Sequence, residues 1–415
     1  MLSFIWNNAL WILLLGLTIH YTQFTEELPS KFPVRTAEVH ELSEGALLNT
    51  EGVLMESGYS AYPVKHIKPE SFAHVVMGFA PFTQFKYKQF EYQAINSGKD
   101  VIFFGLANIG WAGEVFMGTY NYDTNVLTHD SQLTLPWELV PMDSNAAMRF
   151  RRTLDYSKGG LRISYKDTDV KAETKFVREY SIESAKLKLS GNFKFDVQYI
   201  SSENKMPAHQ GHLQVEPVDE TQRFWHLGYK VYGLDVTGTA TVGPDKLEFS
   251  KANNSLMMID IGAGVFHYKT HWLWVTANFV LPDGRKMAFN FAQGITKTNK
   301  TKSNEDYIIL EGKTQIMDPV NILYSGKGQK KTSWNIVTIG AKGSIGEEKD
   351  HFLYPQTELQ FKANNTFSVD KNLGFAKFQL HQNFGVFSGT LHTADGEKIE
   401  IDNVQGVCEF NYSQW

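Results

Sequence analysis

The chain is poor in cysteine, with Cys408 as the single one among 415 residues. One cysteine excludes an internal disulfide framework and any zinc site built from several cysteines. An excess of positive charge is also missing, because 40 Lys and Arg face 45 Asp and Glu, for a formal net charge of −5. Nucleic-acid partners held through phosphate contacts are therefore not expected.

Common cofactor and metal motifs are absent from the sequence as well. Gly105, Gly110 and Gly113 lack the spacing and the lysine of a phosphate loop, and no Gly-x-Ser-x-Gly nucleophile elbow occurs. His267 and His271 would stand about 13 Å apart on a strand, at roughly 3.3 Å per residue, and could not share a metal ion. We therefore expect no cofactor and no metal site, with these histidines at a bend or on the surface.

Long helical periodicity is scarce, whereas short alternating segments recur along the whole chain. Phe193 and Phe195 alternate with Lys194, and turn residues follow at intervals of about ten residues. Aromatic residues make up 13% of the chain, which favours sheets over helical bundles. The pattern predicts an all-β protein of antiparallel barrels or sandwiches.

The length of 415 residues is too great for one ordinary core and predicts two domains with an appendage. We expect a linker or strap over residues 23–64, an N-terminal β domain over residues 65–235 and a C-terminal β domain over residues 236–415. Polar sequence with Pro29, Pro33 and Pro63 marks the strap. No obvious linker marks the division near residue 235.

The first 22 residues hold the one clear targeting candidate. Phe4 to Ile19 is apolar except for Asn7 and Asn8, which suits a signal-peptide core of about 7 to 15 residues better than a span of roughly 20. No Lys or Arg precedes this run and no small-x-small cleavage site follows it, so an uncleaved signal anchor is the second interpretation. An amphipathic or buried segment is the third. We expect delivery to a membrane or to the secretory pathway.

Residues 256–294 form the most informative stretch. The apolar run before Asp260 predicts a buried strand that ends at this carboxylate, followed by a glycine-rich bend at Gly262 and Gly264. A hairpin with its turn at residues 282–284 should follow, and Glu311-Gly312 should turn a later one. On its first arm, Trp272 and Trp274 share one face because side chains alternate along a strand. These tryptophans are predicted to form a core or the wall of a ligand cavity.

Three segments carry a resemblance to a known family: residues 85–123, residues 258–294 with Asn304-Glu305-Asp306 after them, and residues 380–409. In order and spacing they resemble the DUF2804 family of uncharacterised proteins, over roughly residues 60–415. That family is similar to the calycin group, which includes paired lipocalin-like barrels such as the carotenoid 1,2-hydratases. The resemblance implies two lipocalin-like β-barrel or β-sandwich domains packed together.

Asp260 is the first candidate for catalysis. Burial beside a glycine bend would raise the pKa of its carboxyl toward the range useful to a general acid. In the alternative interpretation Asp260 accepts backbone N–H bonds and fixes the bend. His381 is its candidate partner, either on a solvent-exposed strand face or, with Gln382, facing a cleft between the domains.

The candidate ligand-binding residues are chosen for aromatic faces and for polar groups beside them. Glu305 is a possible second carboxylate, with an exposed loop as the alternative setting. The segment after Gln382, from Phe384 to Gly389, contains aromatic residues next to glycines, and this permits close backbone packing. The complete set is Trp272, Trp274, Asn290, Glu305, Gln382 and Phe384.

These features favour the binding of a hydrophobic small molecule, such as a lipid or isoprenoid, in a lipocalin-like cavity at or near a membrane. The alternative is a hydratase or cyclase that acts on an apolar substrate through Asp260 and His381. A third possibility is a surface interaction protein whose interior is filled by side chains. Fold likeness alone does not decide among them.

Overall fold

The computed structural model describes residues 40–61, 64–67, 87–110, 112–135, 153–171, 175–198, 211–295, 304–327, 330–338, 356–372, 374 and 376–414. The predicted targeting segment 1–22 and the predicted strap up to residue 39 lie outside these described residues. Among the residues that are described, no helix has the length and apolar character needed to cross a membrane.

The described chain is almost entirely β-sheet, which confirms the predicted all-β class. One sheet curls into a nearly closed barrel and the other into a half-barrel. The first sheet has 13 strands: β2 (Gly58–Ser60), β4 (Tyr87–Asn96), β5 (Asp100–Asn108), β6 (Gly113–Asn121), β7 (Val126–Thr134), β8 (Leu154–Lys158), β9 (Leu161–Lys171), β10 (Lys175–Ser184), β11 (Leu189–Gln198), β12 (Gly211–Pro217), β13 (Trp225–Val242), β14 (Asp245–Phe249) and β15 (Leu256–Val265).

The second sheet has nine strands and contains the C-terminal part of the chain. Its strand order is β19-β18-β17-β16-β24-β23-β22-β21-β20, and every described pairing within it is antiparallel. A small parallel pair, β1 (Gly45–Ala46) with β3 (Lys65–His66), stands apart from both large sheets. The nine strands are β16 (Lys269–Val280), β17 (Lys286–Gln293), β18 (Tyr307–Leu310), β19 (Lys313–Ile316), β20 (Val320–Lys327), β21 (Lys330–Thr338), β22 (Thr357–Asn372), β23 (Lys377–His392) and β24 (Lys398–Gln414).

The first sheet ends at Val265 and the second begins at Lys269, whereas the sequence analysis expected a division between domains near residue 235. Residues 236–265 belong to the first sheet, because β13 runs through position 235 and β15 pairs with both β13 and β4. A bulge bends β13 at Gly233, which has a φ of +66°, and the register with β15 shifts there. Such a bend within one strand leaves no turn signal in the sequence.

The predicted hairpins are confirmed in the described residues. The turn after β16 closes with a bond from the Leu281 amide to the Arg285 carbonyl, with Gly284 at a φ of +90°. Glu311 and Gly312 join β18 to β19 at φ values of 48° and 77°, a conformation that glycine adopts most easily. Local turn chemistry therefore sets these connections.

The predicted bend at Gly262 and Gly264 is wrong, because β15 continues without interruption to Val265. These glycines instead make room for aromatic rings from neighbouring residues. A methyl group on Gly262 would overlap the ring of Phe90 on β4, and one on Gly264 would meet the ring of Phe266. Asp260 consequently lies inside a strand and not at its end.

Each sheet encloses its own apolar core. Phe193 and Phe195 point into the first core, as their alternation predicted, and Leu273 and Val275 point into the second. Part of the predicted strap joins the first domain: its leucines enter the first core, and β2 pairs with β12. These leucines are Leu42, Leu47, Leu48 and Leu54.

A third cluster lies between the sheets and holds their outer faces together. Phe384 of β23 packs against Phe103 and Tyr120, with ring centroids 5.2 and 4.9 Å away. Phe367 of β22 also contacts Phe103, at 5.7 Å. We call these four residues the aromatic interface cluster. These four rings are buried between the two sheets, which pack against each other through them.

The glycine that accommodates Phe90 gives the first prediction. Gly262→Ala should lower the free energy of unfolding by about 1–3 kcal/mol, since the added methyl group displaces the Phe90 ring in a packed region. Urea unfolding followed by circular dichroism measures the change. Glu248→Ala, at an exposed position of β14, is the control and should stay within about 0.5 kcal/mol. Equal stability of Gly262→Ala and wild type would contradict the described packing.

Candidate functional site

A cavity of about 240 Å³ opens beside the aromatic interface cluster, between the outer faces of the two sheets. Strands β4, β5, β6, β7, β13 and β15 supply one wall, and β16, β17, β22, β23 and β24 supply the other. Most of the lining is apolar, and its aromatic members are Phe90, Tyr92, Phe116, Trp272, Trp274, Phe367 and Phe378.

On the first wall, strand register places Lys230, Asp260 and Tyr92 in one row across β13, β15 and β4. The Lys230 ammonium lies 2.6 Å from Asp260 Oδ2 and 4.4 Å above the ring of Trp274 from the opposite wall. Both members of this ion pair are buried. A buried ion pair needs further contacts to offset its lost hydration, and the tryptophan face supplies one.

On the second wall, Trp274, Glu409 and Gln382 form the matching row across β16, β24 and β23. Glu409 Oε1 accepts a hydrogen bond from Trp272 Nε1 at 2.8 Å, and Oε2 accepts one from Gln382 Nε2 at 3.2 Å. Burial raises the pKa of the Glu409 carboxyl to about 7, and the negative charge of Asp260 adds to this rise. Glu409 can therefore gain and lose a proton near neutral pH.

Gln382 connects the two walls. Its Oε1 accepts a bond from the Tyr92 hydroxyl at 3.4 Å, while its Nε2 donates to Glu409. Burial holds the pKa of Tyr92 well above its ordinary value, so this phenol stays protonated and acts as a donor.

Glu305 is buried in the cavity wall, so the exposed-loop alternative is wrong. Its Oε1 accepts a bond from Gln214 Nε2 at 2.7 Å and lies 3.3 Å from His226 Nδ1. His212 of the first sheet forms a hydrogen bond with the backbone carbonyl of Asn304, the preceding residue. Burial lowers the pKa of His212 to about 3. The neutral imidazole and these bonds fix the segment of residues 304–306 against β12 and β13.

The structure brings together most of the residues predicted for the site. Asn290 supports the wall without lining it, since its Oδ1 accepts from Trp274 Nε1 at 2.7 Å. Phe384 belongs to the aromatic interface cluster beside the cavity. The predicted residues that line the cavity are Asp260, Trp272, Trp274, Glu305 and Gln382.

His381 is not placed with Asp260. Neighbouring residues on a strand point to opposite faces, so Gln382 faces the cavity and His381 faces away from it. The His381 ring stacks on Phe410 with centroids 5.7 Å apart, and its Nε2 lies 3.2 Å from Asp370 Oδ2. At 3% exposed, His381 is not on a solvated face either. The partner that the structure gives Asp260 is therefore Lys230, not His381.

In the described part of the chain, no three His, Cys, Asp or Glu side chains come close enough together to hold a metal ion. His267 Nε2 lies 3.2 Å from Asp219 Oδ2, and its ring stacks on Phe224 with centroids 4.1 Å apart. Both His267 and His271 are buried, so the surface interpretation of these histidines is wrong.

Comparison with known proteins identifies the family. Residues 37–415 match the family described as "Domain of unknown function (DUF2804)". The chain belongs to the DUF2804 family. This match confirms the resemblance seen in the sequence and extends it to residue 37. No curated protein matches this DUF2804 chain.

Several solved structures resemble the chain at low identity. One is the crystal structure of kievitone hydratase from Nectria haematococca, with 12% identity, a TM-score of 0.45, and coverage of 79% of this DUF2804 chain and 88% of that chain. Another is CghA with Sch210972, with 10% identity, a TM-score of 0.42, and the same coverage of 79% and 88%.

Sequence analysis missed Glu409, Lys230 and Tyr92. The signal for Glu409 was present: in Val407-Cys408-Glu409-Phe410-Asn411 it alternates with two apolar residues of the other face. What the alternation could not show is that this outer face is covered by a second sheet. Lys230 and Tyr92 become site residues for the same reason.

Stability should depend on pH through Glu409. Its pKa rises from 4.5 in the unfolded chain to about 7 in the folded one, so the folded state binds this proton more tightly. Its contribution is therefore fully present below about pH 4.5 and declines by about 3 kcal/mol as the pH rises through 7. Relative to Glu409→Gln, which cannot ionise, wild type should lose melting temperature between about pH 5 and about pH 8. If the melting temperatures of both proteins change with pH in the same way, the raised pKa of Glu409 is contradicted.

Proposed function

We propose that the protein binds a mainly apolar small molecule in the cavity between its sheets. The observation that carries this proposal is a space of about 240 Å³ whose lining surface is mainly apolar, although several charged side chains also contribute to it. Small-molecule sites commonly combine apolar walls with a few polar groups that fix orientation. A lipid or isoprenoid fragment has the chemistry that such walls accommodate.

The arrangement of exposed residues indicates where a ligand enters. Leu133 of β7 lines the cavity and is 52% exposed, so the cavity reaches the protein surface at this residue. Lys371 of β22, also partly exposed, lies 3.1 Å from Glu114 of β6 and links the two walls. The cavity is therefore open to solvent beside Leu133 and Lys371, and we expect a ligand to enter there.

The binding proposal predicts that filling the cavity blocks a probe. Ala292 is buried in the cavity wall beside Trp274, and Ala292→Leu places a larger side chain in the space. Titration with the neutral fluorescent probe N-phenyl-1-naphthylamine should give saturable binding to wild type and binding weakened about tenfold in this variant. Ala394→Leu, in an exposed turn, is the matched control and should bind as wild type does. Failure of wild type to bind the probe, together with no co-purifying ligand in native mass spectrometry, would refute the proposal.

Acid–base catalysis on the bound molecule is the second candidate function, and Glu409 is the observation that favours it. A carboxyl with a pKa of about 7 in an apolar cavity suits a general acid, because it holds a proton at neutral pH and can release it. In a dehydration, Glu409 would protonate a substrate hydroxyl, the C–O bond would break to release water, and the Asp260 carboxylate would take a proton from the adjacent carbon. The reverse steps add water to a double bond.

Glu409→Gln tests this second function. Wild type would be incubated with a panel of allylic and tertiary terpenoid alcohols, and products that differ by one water would be sought by mass spectrometry. Conversion of a panel member should fall by about a hundredfold or more in Glu409→Gln, because its amide cannot transfer a proton in this way. His381→Gln, away from the cavity, is the control and should keep the activity. Unchanged turnover in Glu409→Gln would remove Glu409 as the acid.

Membrane delivery remains a prediction from residues 1–22, which lie outside the described residues.

A further inference from the structure

We propose that the cavity selects apolar molecules that carry a hydrogen-bond-accepting oxygen, such as a ketone or an ether, positioned to receive a hydrogen bond from the neutral carboxyl of Glu409. This inference rests on the proposed binding function and specifies the ligand class. Purely hydrocarbon ligands and ligands with an anionic end should bind in the same cavity with lower affinity.

The argument begins with the partners of Glu409. Within the described part of the chain its carboxyl has two hydrogen bonds, from Trp272 Nε1 and from Gln382 Nε2. An indole N–H can only donate, and Gln382 presents its amide nitrogen, which also only donates. Neither partner can therefore accept the hydrogen that a neutral Glu409 carries. A buried donor left without an acceptor costs about 1–3 kcal/mol. A ligand oxygen that accepts this hydrogen bond would remove that cost and so bind more tightly.

The neighbouring polar groups already have partners in the protein. Lys230 is bonded to Asp260 and lies over Trp274, and Gln382 Oε1 accepts from Tyr92. Trp274 Nε1 is bonded to Asn290. Each of these groups therefore has at least one partner, whereas the hydrogen of a neutral Glu409 has no acceptor among the described residues.

Charge in the cavity explains the preference for a neutral ligand. Asp260 and Glu305 line the same space, and Lys230 is the cation that compensates Asp260. A ligand carboxylate would bring a further negative charge against them, which costs more than a neutral carbonyl would. The other lysines of the lining have partners elsewhere: Lys88 donates to the Ile109 carbonyl, Lys371 pairs with Glu114, and Lys377 lies over the Tyr412 ring.

Loss of the Glu409 proton should then weaken binding of an acceptor ligand. The titratable or charged groups that influence Glu409 are Asp260 on β15 and Lys230 on β13, while Tyr92 on β4 reaches it through Gln382. The phenol stays protonated because burial raises its pKa. Burial places the pKa of Glu409 at about 7, so its hydrogen is available below neutral pH and lost above it.

Two probes of nearly equal shape test the inference: butyrophenone, which has a ketone oxygen, and n-butylbenzene, which lacks it. Dissociation constants for the full-length protein would be measured by tryptophan fluorescence at about pH 5.5 and about pH 8.5, on either side of the Glu409 pKa. We expect butyrophenone to lose about tenfold in affinity at the higher pH, and n-butylbenzene to change by less than about twofold.

Glu409→Gln supplies a second comparison, because its amide N–H donates at every pH. In that variant the affinity for butyrophenone should no longer depend on pH. Equal pH dependence of the two probes with wild type, or none for either, would overturn the ligand class while leaving the proposed binding function intact. If neither probe binds at either pH, both the ligand class and the proposed binding function are wrong. The wild-type comparison does not depend on the variant folding.

Discussion

Packing of one sheet's outer face against the other is the constraint on which the rest of the structure depends. The outer face of an antiparallel sheet is commonly solvated, but here Phe103, Tyr120, Phe367 and Phe384 fill it with rings. Because these rings exclude water, polar side chains in the adjacent rows are desolvated. Glu409 owes its raised pKa chiefly to that burial, and the charges next to it matter less. The chemistry of the site is thus a consequence of how the two domains meet.

Features with a period of two residues or a local turn were predictable from the sequence. The all-β class, the hairpins at Gly284 and Gly312, and the opposite faces of Leu273 and Trp274 all follow from alternation and turn chemistry. The family resemblance is confirmed over residues 37–415. Candidate residues chosen from aromatic faces, such as Trp272 and Gln382, accordingly lie at the cavity.

Features that depend on contacts between distant parts of the chain were not predictable. The bulge at Gly233 carries β13 past the expected domain boundary, and only its pairing with β15 reveals this. His381 and Gln382 differ in role because one face of β23 turns inward and the other meets the first sheet. Alternation shows that two faces exist, but not which of them receives a partner. For that reason the sequence analysis did not predict Glu409 as a site residue.

The short connection between the sheets ties ligand occupancy to domain orientation. Only residues 266–268 separate β15 from β16, and all three are buried. Since each wall of the cavity belongs to a different sheet, any rotation of one sheet against the other changes the width of the space. A guest molecule that contacts both walls therefore contributes its binding energy to the association of the domains, and domain association in turn sets the affinity for that guest.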